Sequence, residues 1–288
     1  RSLFVSSAND AIDLMGSSPL IRGNQMLKSG DKGVSIGESS SPIVSDNLVE
    51  DGNIGMEIKD RSEPVLIRNR LVGNRIGLSA YAKNWRYAAG GFPRLIGGVV
   101  SDNAVPLQFD GKSRLTRPVA QAEELAEIVE LGTRVIEQDF SGGFWDGRRE
   151  WLGLPGTEVD TNRWDLVVRG RGRSGGALSR IDWNLTDPEV TYHLLLEYRV
   201  SPETDGVFRV LGETGSQEIG LPSPVDSLSD YRWEMITLPP DRYGLLEIEV
   251  EPPQGGLEID SSTGLGSLRS GQVRIHRFSV YTTPGPGR

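Results

Sequence analysis

Two carboxylates occupy equivalent positions in neighbouring copies of a sequence repeat. Glu38 follows Gly33 by five residues, and Asp60 follows Gly55 by the same interval. If the copies stack as strands, the two backbones lie about 4.8 Å apart. Retaining glycosidases place an acid and a nucleophile about 5 Å apart, and a close carboxylate pair also suits Ca²⁺. Glu38 and Asp60 are therefore the candidate catalytic pair, with solvated surface charges as the alternative interpretation.

An aromatic insertion interrupts the same repeat. Pro64 and Pro93 are 29 residues apart, whereas the earlier prolines at this position are separated by 22 or 23. The extra residues include Trp85, Arg86 and Tyr87. Insertions between the rungs of a solenoid project from one face, and such side chains stack on sugar rings or anchor partners. These three are candidate ligand-binding residues, unless the aromatic rings fold back over the solenoid flank.

Most of the tryptophans lie in the second half of the chain. Trp145 and Trp151 belong to a glycine-rich stretch with the composition of a loop. Exposed indoles in such positions form stacking platforms for sugars, so both are predicted to bind ligand. Loop tryptophans also anchor domain interfaces, which is the alternative. Trp233, inside an alternating strand, is predicted to be core, and Trp183 fits either role.

A repeat of 22 or 23 residues organises the chain around these positions. Ser-x-Pro recurs, and five residues after each proline comes an asparagine: Asn24, Asn47 and Asn69. Fixed-period similarity of this length predicts a solenoid, and the asparagines are expected to form a structural ladder. Apolar residues at spacing two predict strands with one buried face. They are Ile12 and Leu14, Val34 and Ile36, Met56 and Ile58, and Leu78 and Ala80.

The pattern Ser-x-Pro-x-Ile-x-x-Asn followed by Gly-Ile/Val-x-Ile resembles the right-handed parallel β-helix repeats of pectin-lyase-like and NosD-type proteins. The runs 30–38, 53–60 and 80–83 are similar to β-helical segments beside CotH-like kinase and lamin-tail domains of bacterial surface proteins. The resemblance covers residues 1–115 and implies the fold, which hosts lyases, hydrolases, adhesins and scaffolds alike. Polygalacturonase motifs are missing from the sequence, and the two histidines, His193 and His276, lie outside the repeat.

The rest of the chain has a different pattern. Residues 116–133 predict one α-helix, which begins near Pro118, ends at Gly132 and caps the solenoid or links two domains. Residues 134–282 predict an antiparallel β-sandwich, followed by a flexible tail at 283–288. The strand order resembles a jelly-roll carbohydrate-binding module of the galactose-binding type. That resemblance implies a possible structural calcium ion, although Arg274 and His276 stand where an acidic or amide ligand is expected.

Composition narrows the classes of function. The chain has 288 residues, 36 Gly, 17 Pro, no Cys and a formal net charge of −9. Glycine and proline at this level favour an all-β protein of two domains. The negative charge argues against nucleic-acid binding and against attachment to an anionic membrane. No apolar stretch is long enough to span a membrane, and no thiolate metal site is available.

These patterns predict a bacterial protein that is secreted, on the cell surface or periplasmic, and whose β-helix is the C-terminal part of a longer solenoid. The expected role is non-catalytic binding or scaffolding, with polysaccharide or another surface protein as partner and no required cofactor. A polysaccharide lyase or glycoside hydrolase on the β-helix is the first alternative. A structural subunit of a larger envelope complex is the second. The sequence identifies no reaction and no metal.

Overall fold

The computed structural model describes residues 1–140, 151–155, 157–161, 165–171, 174–202, 204–222, 231–251, 257–259, 266–268 and 270–285. These residues form two compact units. The first contains residues 1–126. The second contains the described residues from 127 onward, apart from Tyr231, which groups with the first unit.

The first unit is a parallel β-helix in which each rung contributes one short strand to each of three parallel stacks. The first stack contains β1 (Leu3–Val5), β4 (Gln25–Leu27), β7 (Leu48–Glu50), β10 (Arg70–Val72) and β13 (Val99–Ser101). The second stack contains β2 (Ile12–Met15), β5 (Lys32–Gly37), β8 (Ile54–Lys59), β11 (Ile76–Tyr81) and β14 (Val105–Phe109). The third stack contains β3 (Leu20–Arg22), β6 (Ile43–Ser45), β9 (Val65–Ile67), β12 (Arg94–Ile96) and β15 (Thr116–Pro118).

The alternation of apolar and polar residues in the second stack decides which side chains enter the core. Val34 pairs in register with Met56, and Met56 with Leu78, so apolar residues stack directly from rung to rung. All three are fully buried, as are the next inward residues, Ile36 and Ile58. The predicted β-helix fold and its core positions are confirmed.

The predicted asparagine ladder is present at the corner between two strands of each rung. The Asn24 backbone N–H and side-chain amide both donate to Asn47 Oδ1, at 2.9 and 3.0 Å. Asn47 donates in the same way to Asn69 Oδ1, at 3.1 and 3.0 Å. The left-handed backbone belongs to the residue before each asparagine, including Asp46 at φ 55° and Arg68 at φ 49°. The asparagines therefore satisfy the polar groups that each corner exposes.

The helix α1 (Ala122–Leu131) is shorter at its start than the sequence pattern indicates. Its buried side chains are Leu125, Ala126, Ile128 and Val129, which form the apolar face expected from their spacing. Glu123 and Glu124 lie in the first turn, where the helix dipole favours negative charge. Within the described residues, no helix combines the length and the apolarity needed to cross a bilayer.

The second unit is an antiparallel β-sandwich. One sheet has the order β18 (Thr157–Thr161), β19 (Leu166–Arg171), β28 (Ser270–Pro284), β21 (Val190–Val200), β24 (Tyr231–Leu238), and β16 (Thr133–Asp139) also pairs with β28. The other has the order β17 (Trp151–Gly153), β20 (Gly175–Leu185), β25 (Asp241–Glu251), β22 (Asp205–Gly212), β23 (Ser216–Leu221). A separate pair is β26 (Leu257–Ile259) with β27 (Gly266–Leu268). The predicted all-β class is confirmed.

Aromatic side chains fill the centre of this sandwich. The Phe278 ring lies 5.8 Å from the Trp183 ring, 5.9 Å from Phe208 and 6.0 Å from Phe140, measured between centroids. The Phe140 and Phe278 rings pack edge to face at 61°, and the other two pairs are tilted at 50° and 51°. Trp233 is 5 % exposed, as predicted for a core residue. β28 continues to Pro284, two residues into the segment predicted as a tail.

Candidate functional site

A cleft of about 760 Å³ opens in the sandwich unit beside its aromatic core. Strands β16 and β28 of one sheet and β17, β20 and β25 of the other supply its walls. The lining residues are Ile136, Gln138, Trp151, Leu152, Leu178, Ser179, Arg180, Ile181, Trp183, Leu245, Leu246 and Phe278. The two sheets therefore separate here enough to admit a small ligand.

An irregularity in strand pairing shapes the cleft. Arg180 pairs with Leu245 and Trp183 pairs with Tyr243, so two residues of β20 lie opposite the single residue Gly244. Such a bulge bends its strand and redirects the neighbouring side chains. Arg180 is exposed at this point, whereas Trp183 remains 9 % exposed. On either side of the bulge, an exposed guanidinium and a mostly buried indole thus line the same cleft.

The cleft combines a mainly apolar interior with a few polar groups. Trp151 and Trp183 contribute indoles that are 4 % and 9 % exposed. Gln138 and Arg180 provide amide and guanidinium donors, while Leu152 is largely exposed. Apolar walls with a few polar groups are the common composition of small-molecule sites. The described residues that line this cleft include no carboxylate and no histidine.

The sequence named one of these residues in advance and missed others. Trp151 was predicted to be a loop indole that binds ligand, but it lies in strand β17, is 4 % exposed and belongs to the hydrophobic core beside the cleft. Trp145 was predicted with it and lies outside the described residues. Trp183 was left open, and Arg180 was not considered, because nothing in the sequence shows where the bulge places them. The sequence signal that could have indicated this site is the mixture of aromatic, polar and apolar residues in segment 178–183.

The predicted catalytic pair occupies equivalent turns of the β-helix. Ile36 pairs with Ile58, and both Glu38 and Asp60, two residues further on, have positive φ angles of 59° and 55°. Asp60 is 2 % exposed, and its Oδ1 accepts hydrogen bonds from the backbone N–H groups of Lys83 and Asn84, at 2.8 and 2.6 Å. These contacts give Asp60 a structural task in holding the start of the insertion. Catalysis by Glu38 and Asp60 stays a prediction.

The aromatic insertion presents one tryptophan to solvent. Trp85–Tyr87 form a single 3₁₀ turn, and the Asn84 side chain accepts a hydrogen bond from the Arg86 N–H. Trp85 is 83 % exposed, Arg86 is exposed, and Tyr87 is half-buried. The Arg86 guanidinium carbon lies 6.0 Å from the Trp85 ring centroid. The loop is thus held by defined hydrogen bonds while its indole is accessible to a ligand.

The described residues contain no cluster of three or more His, Asp or Glu side chains able to hold a metal ion. Near the last strand of the sandwich, His276 is fully buried, and its Nδ1 lies 3.5 Å from Asp165 Oδ1. Arg274 Nη1 is 3.8 Å from the other oxygen of the same carboxylate. Structural calcium stays a prediction.

Residues 2–89 match a family model described as "Right handed beta helix region". No curated protein sequence matches the chain. Among solved structures, the module BiXyn10A CBM1 is 11% identical with a TM-score of 0.34, over 50% of this chain and 95% of that chain. A mutant of the family 29 carbohydrate-binding module CBM29-2 complexed with cellulohexaose is 12% identical with a TM-score of 0.34, over 54% and 93%.

The enzymatically active domain of bacteriophage CBA120 tailspike protein 4 is 11% identical with a TM-score of 0.33. That likeness covers 98% of this chain and 44% of the tailspike chain, so this chain spans less than half of the tailspike domain's length. Identities and TM-scores of this size transfer no ligand and no activity. The family match is confined to residues 2–89, less than a third of the chain, and it agrees with the β-helix fold of the first unit.

Proposed function

We propose that this protein binds polysaccharide without cleaving it, through the cleft of the sandwich unit. The observation that carries the proposal is the cleft itself, whose lining brings the exposed Arg180 together with two mostly buried indoles, Trp151 and Trp183. Sugar rings present CH groups on their faces and hydroxyls at their edges. Indoles suit the faces, and guanidinium and amide groups suit the hydroxyls.

The size and chemistry of the cleft support this reading. Ligand sites are usually about 300 to 1,000 Å³, and this cleft is about 760 Å³, enough for a short stretch of a sugar chain. Gln138 and Arg180 are placed to donate hydrogen bonds from its wall and rim. We propose binding without cleavage because the described lining offers no carboxylate or histidine as acid or base for a glycosidic bond.

The setting proposed for this binding is the outside of the cell, on the surface or in the periplasm, with the β-helix as a scaffold. A net charge of −9 disfavours nucleic-acid and anionic-membrane partners and is compatible with a neutral glycan. The family match over residues 2–89 supports the scaffold role, because solenoids present extended surfaces built from stacked rungs.

The test is binding of the purified full chain to a panel of neutral and uronate-containing polysaccharides, with released reducing or unsaturated ends measured in the same samples. Arg180→Ala should weaken binding about tenfold, as expected when hydrogen bonds to a charged group are lost. Arg242→Ala is the matched control, because Arg242 is an exposed arginine of the same unit that does not line the cleft.

Two results would overturn the proposal. If the Arg180→Ala and Arg242→Ala variants bind polysaccharide equally well, the cleft is not the binding site. Release of sugar products by the wild-type chain would show that the protein is an enzyme and not only a binding protein. Thermal unfolding of each variant distinguishes lost contacts from lost structure.

A further inference from the structure

The outward face of the first stack is built from two straight rows of side chains. In each strand of this stack the middle residue points into the core, as Met26, Val49 and Leu71 do, and the two flanking residues point outward. One outward row is Leu3, Gln25, Leu48, Arg70 and Val99, and the other is Val5, Leu27, Glu50, Val72 and Ser101. We refer to these ten residues as the first-stack face.

The first-stack face is largely apolar and is accessible to a partner. Its apolar side chains are the exposed Leu3, Val5 and Val99 and the half-buried Leu27, Leu48 and Val72. In the third stack, by contrast, the outward residues Ile67 and Ile96 are fully buried. An exposed apolar surface that also carries polar groups is typical of a protein–protein interface. The first-stack face is therefore a candidate interaction surface.

Glu50 and Arg70 are the two charged residues of the first-stack face. They lie in opposite rows and on adjacent rungs, because Glu50 pairs in register with Val72 and Arg70 with Leu48. Among the residues that the structure describes, neither of these two side chains has an ion-pair partner. Each is therefore available to pair with an opposite charge on another molecule.

We infer that the first-stack face is a self-association surface, on which a second copy of this chain packs face to face with its solenoid parallel to the first. The two copies are related by a two-fold axis that runs along the stacking direction, in the plane between the two faces. This rotation places each rung opposite the same rung of the other copy. It also exchanges the two rows, so that Leu3 of one copy faces Val5 of the other.

The exchange of rows makes the face complementary to itself in charge. Glu50 of one copy then occupies the same row as Arg70 of the other, one rung away, which is about 4.8 Å along the stacking direction. The symmetry repeats this contact, so both charges of each copy gain a partner. The same two residues therefore form two equivalent ion pairs in the dimer, although they form none within one chain.

The same charges disfavour an antiparallel arrangement of the two solenoids. A two-fold axis along the middle strand of the stack would place Glu50 directly opposite Glu50 of the other copy. An axis between the third and fourth strands would place Glu50 opposite Val72 and Arg70 opposite Leu48. Each charge would then be buried against an apolar side chain, which is costly. The parallel arrangement is the one that pairs the charges.

The size of the first-stack face indicates a weak dimer. Five strands spaced by about 4.8 Å make the face about 20 Å long, and three residues of each strand make it about 10 Å wide. This area is well below the roughly 800 Å² per partner that a standard stable interface buries. The dimer is therefore expected to dissociate on dilution and to form only at high protein concentration.

Sedimentation velocity of the full chain, over a roughly hundredfold range of protein concentration at low salt, tests this inference. We expect the wild-type chain to shift from monomer towards dimer as its concentration rises. Glu50→Arg and Arg70→Glu should each weaken dimer formation about fivefold or more. The reason is that either substitution replaces both ion pairs of the dimer with pairs of like charge.

An equal mixture of the Glu50→Arg and Arg70→Glu variants tests the arrangement itself. In a mixed dimer, one copy carries two positive charges on the face and the other carries two negative charges, so both contacts again join opposite charges. The mixture should therefore dimerise about as strongly as the wild-type chain, whereas neither variant should do so alone. Recovery in the mixture also shows that both variants are folded.

Glu213→Arg and Arg242→Glu are the matched controls, because they make the same changes of charge at exposed residues of the second unit. Both controls, and their mixture, should dimerise like the wild-type chain. Arg180→Ala should do the same, so the dimer and the polysaccharide site can fail independently of each other.

Three results would overturn the inference. The first is a wild-type chain that stays monomeric at the highest concentration. The second is dimer formation by Glu50→Arg and Arg70→Glu that equals that of the controls. The third is a mixture of these two variants that dimerises no better than either variant alone.

Discussion

Lys59 and Glu57 form a buried ion pair between two outward-facing positions of one strand, with Nζ 2.9 Å from Oε1. The side chains are 11 % and 3 % exposed. Lys59 Nζ also donates to Ser35 Oγ at 2.6 Å, on the preceding rung. The pair therefore links two rungs through polar contacts.

Removing the Glu57 charge should destabilise the β-helix. Glu57→Gln leaves the Lys59 ammonium in a low-exposure site without its partner, and breaking a buried pair in this way costs about 3 kcal/mol. Urea denaturation of both proteins measures this difference. Glu38→Gln is the matched control, since Glu38 is half-buried in a turn and its change should stay within about 0.5 kcal/mol. Equal midpoints for the two variants would refute the prediction.

Asp110 should make the stability of the first unit depend on acidic pH. Its folded pKa is lower than the ordinary value of 3.8, so its stabilising effect is fully present above that value. The effect is lost as the pH falls through the folded pKa. The difference in unfolding free energy between wild type and Asp110→Asn should therefore be largest near neutral pH and shrink below pH 3.8. A difference that stays constant with pH would contradict this.

Gly55 should not tolerate a side chain. A Cβ atom at this position would lie 2.4 Å from the Gly77 backbone oxygen, which cannot move without disturbing the next rung. Gly55→Ala is expected to destabilise the protein by about 1 to 3 kcal/mol, as overpacking generally does. Gly111→Ala is the control, because nothing lies within 4 Å of a Cβ there. Thermal melting of the two variants would show a loss for Gly55→Ala alone.

Asp60 should order the aromatic insertion rather than the β-helix core. Asp60→Ala removes the acceptor for the Lys83 and Asn84 N–H groups, so exchange of these two amides should become faster. Trp85→Ala should leave the same amides protected, because the Trp85 side chain is 83 % exposed. Hydrogen exchange by NMR measures both. Unchanged exchange at Lys83 and Asn84 in Asp60→Ala would show that other contacts hold the loop.

The repeat made much of the first unit predictable. The repeat period and the apolar–polar alternation within each strand predict that Val34, Met56 and Leu78 lie in the core, because stacked rungs repeat the same environment. The Asn24, Asn47 and Asn69 ladder follows for the same reason. The contacts of Glu57 with Lys59 and Tyr81 could not be predicted from the sequence, because the stacking of rungs creates them. Tyr81 is 24 positions from Glu57 in the chain, yet their side chains are hydrogen-bonded.

The sequence predicts the fold class of the sandwich, but it does not predict which residues line the cleft. Alternating strands such as Asp241–Glu251 specify two-faced sheets, and the structure has them. Trp151 was named from its loop-like surroundings, whereas the cleft also needs Arg180 and Trp183. Their placement depends on a bulge opposite Gly244, and a register shift between distant strands leaves no local pattern in the sequence.

The sequence by itself determined the periodic architecture of this protein, since each strand's alternation and each corner asparagine act through neighbours at a fixed interval. Only the tertiary structure decided which polar groups meet in the sandwich cleft and on the outward face of the β-helix. The pairing of Glu57 with Lys59 and Tyr81, and the separation of the sheets beside Trp151, depend on distances between side chains from different strands. Periodicity specifies which face a residue occupies, whereas side-chain packing decides what it touches there.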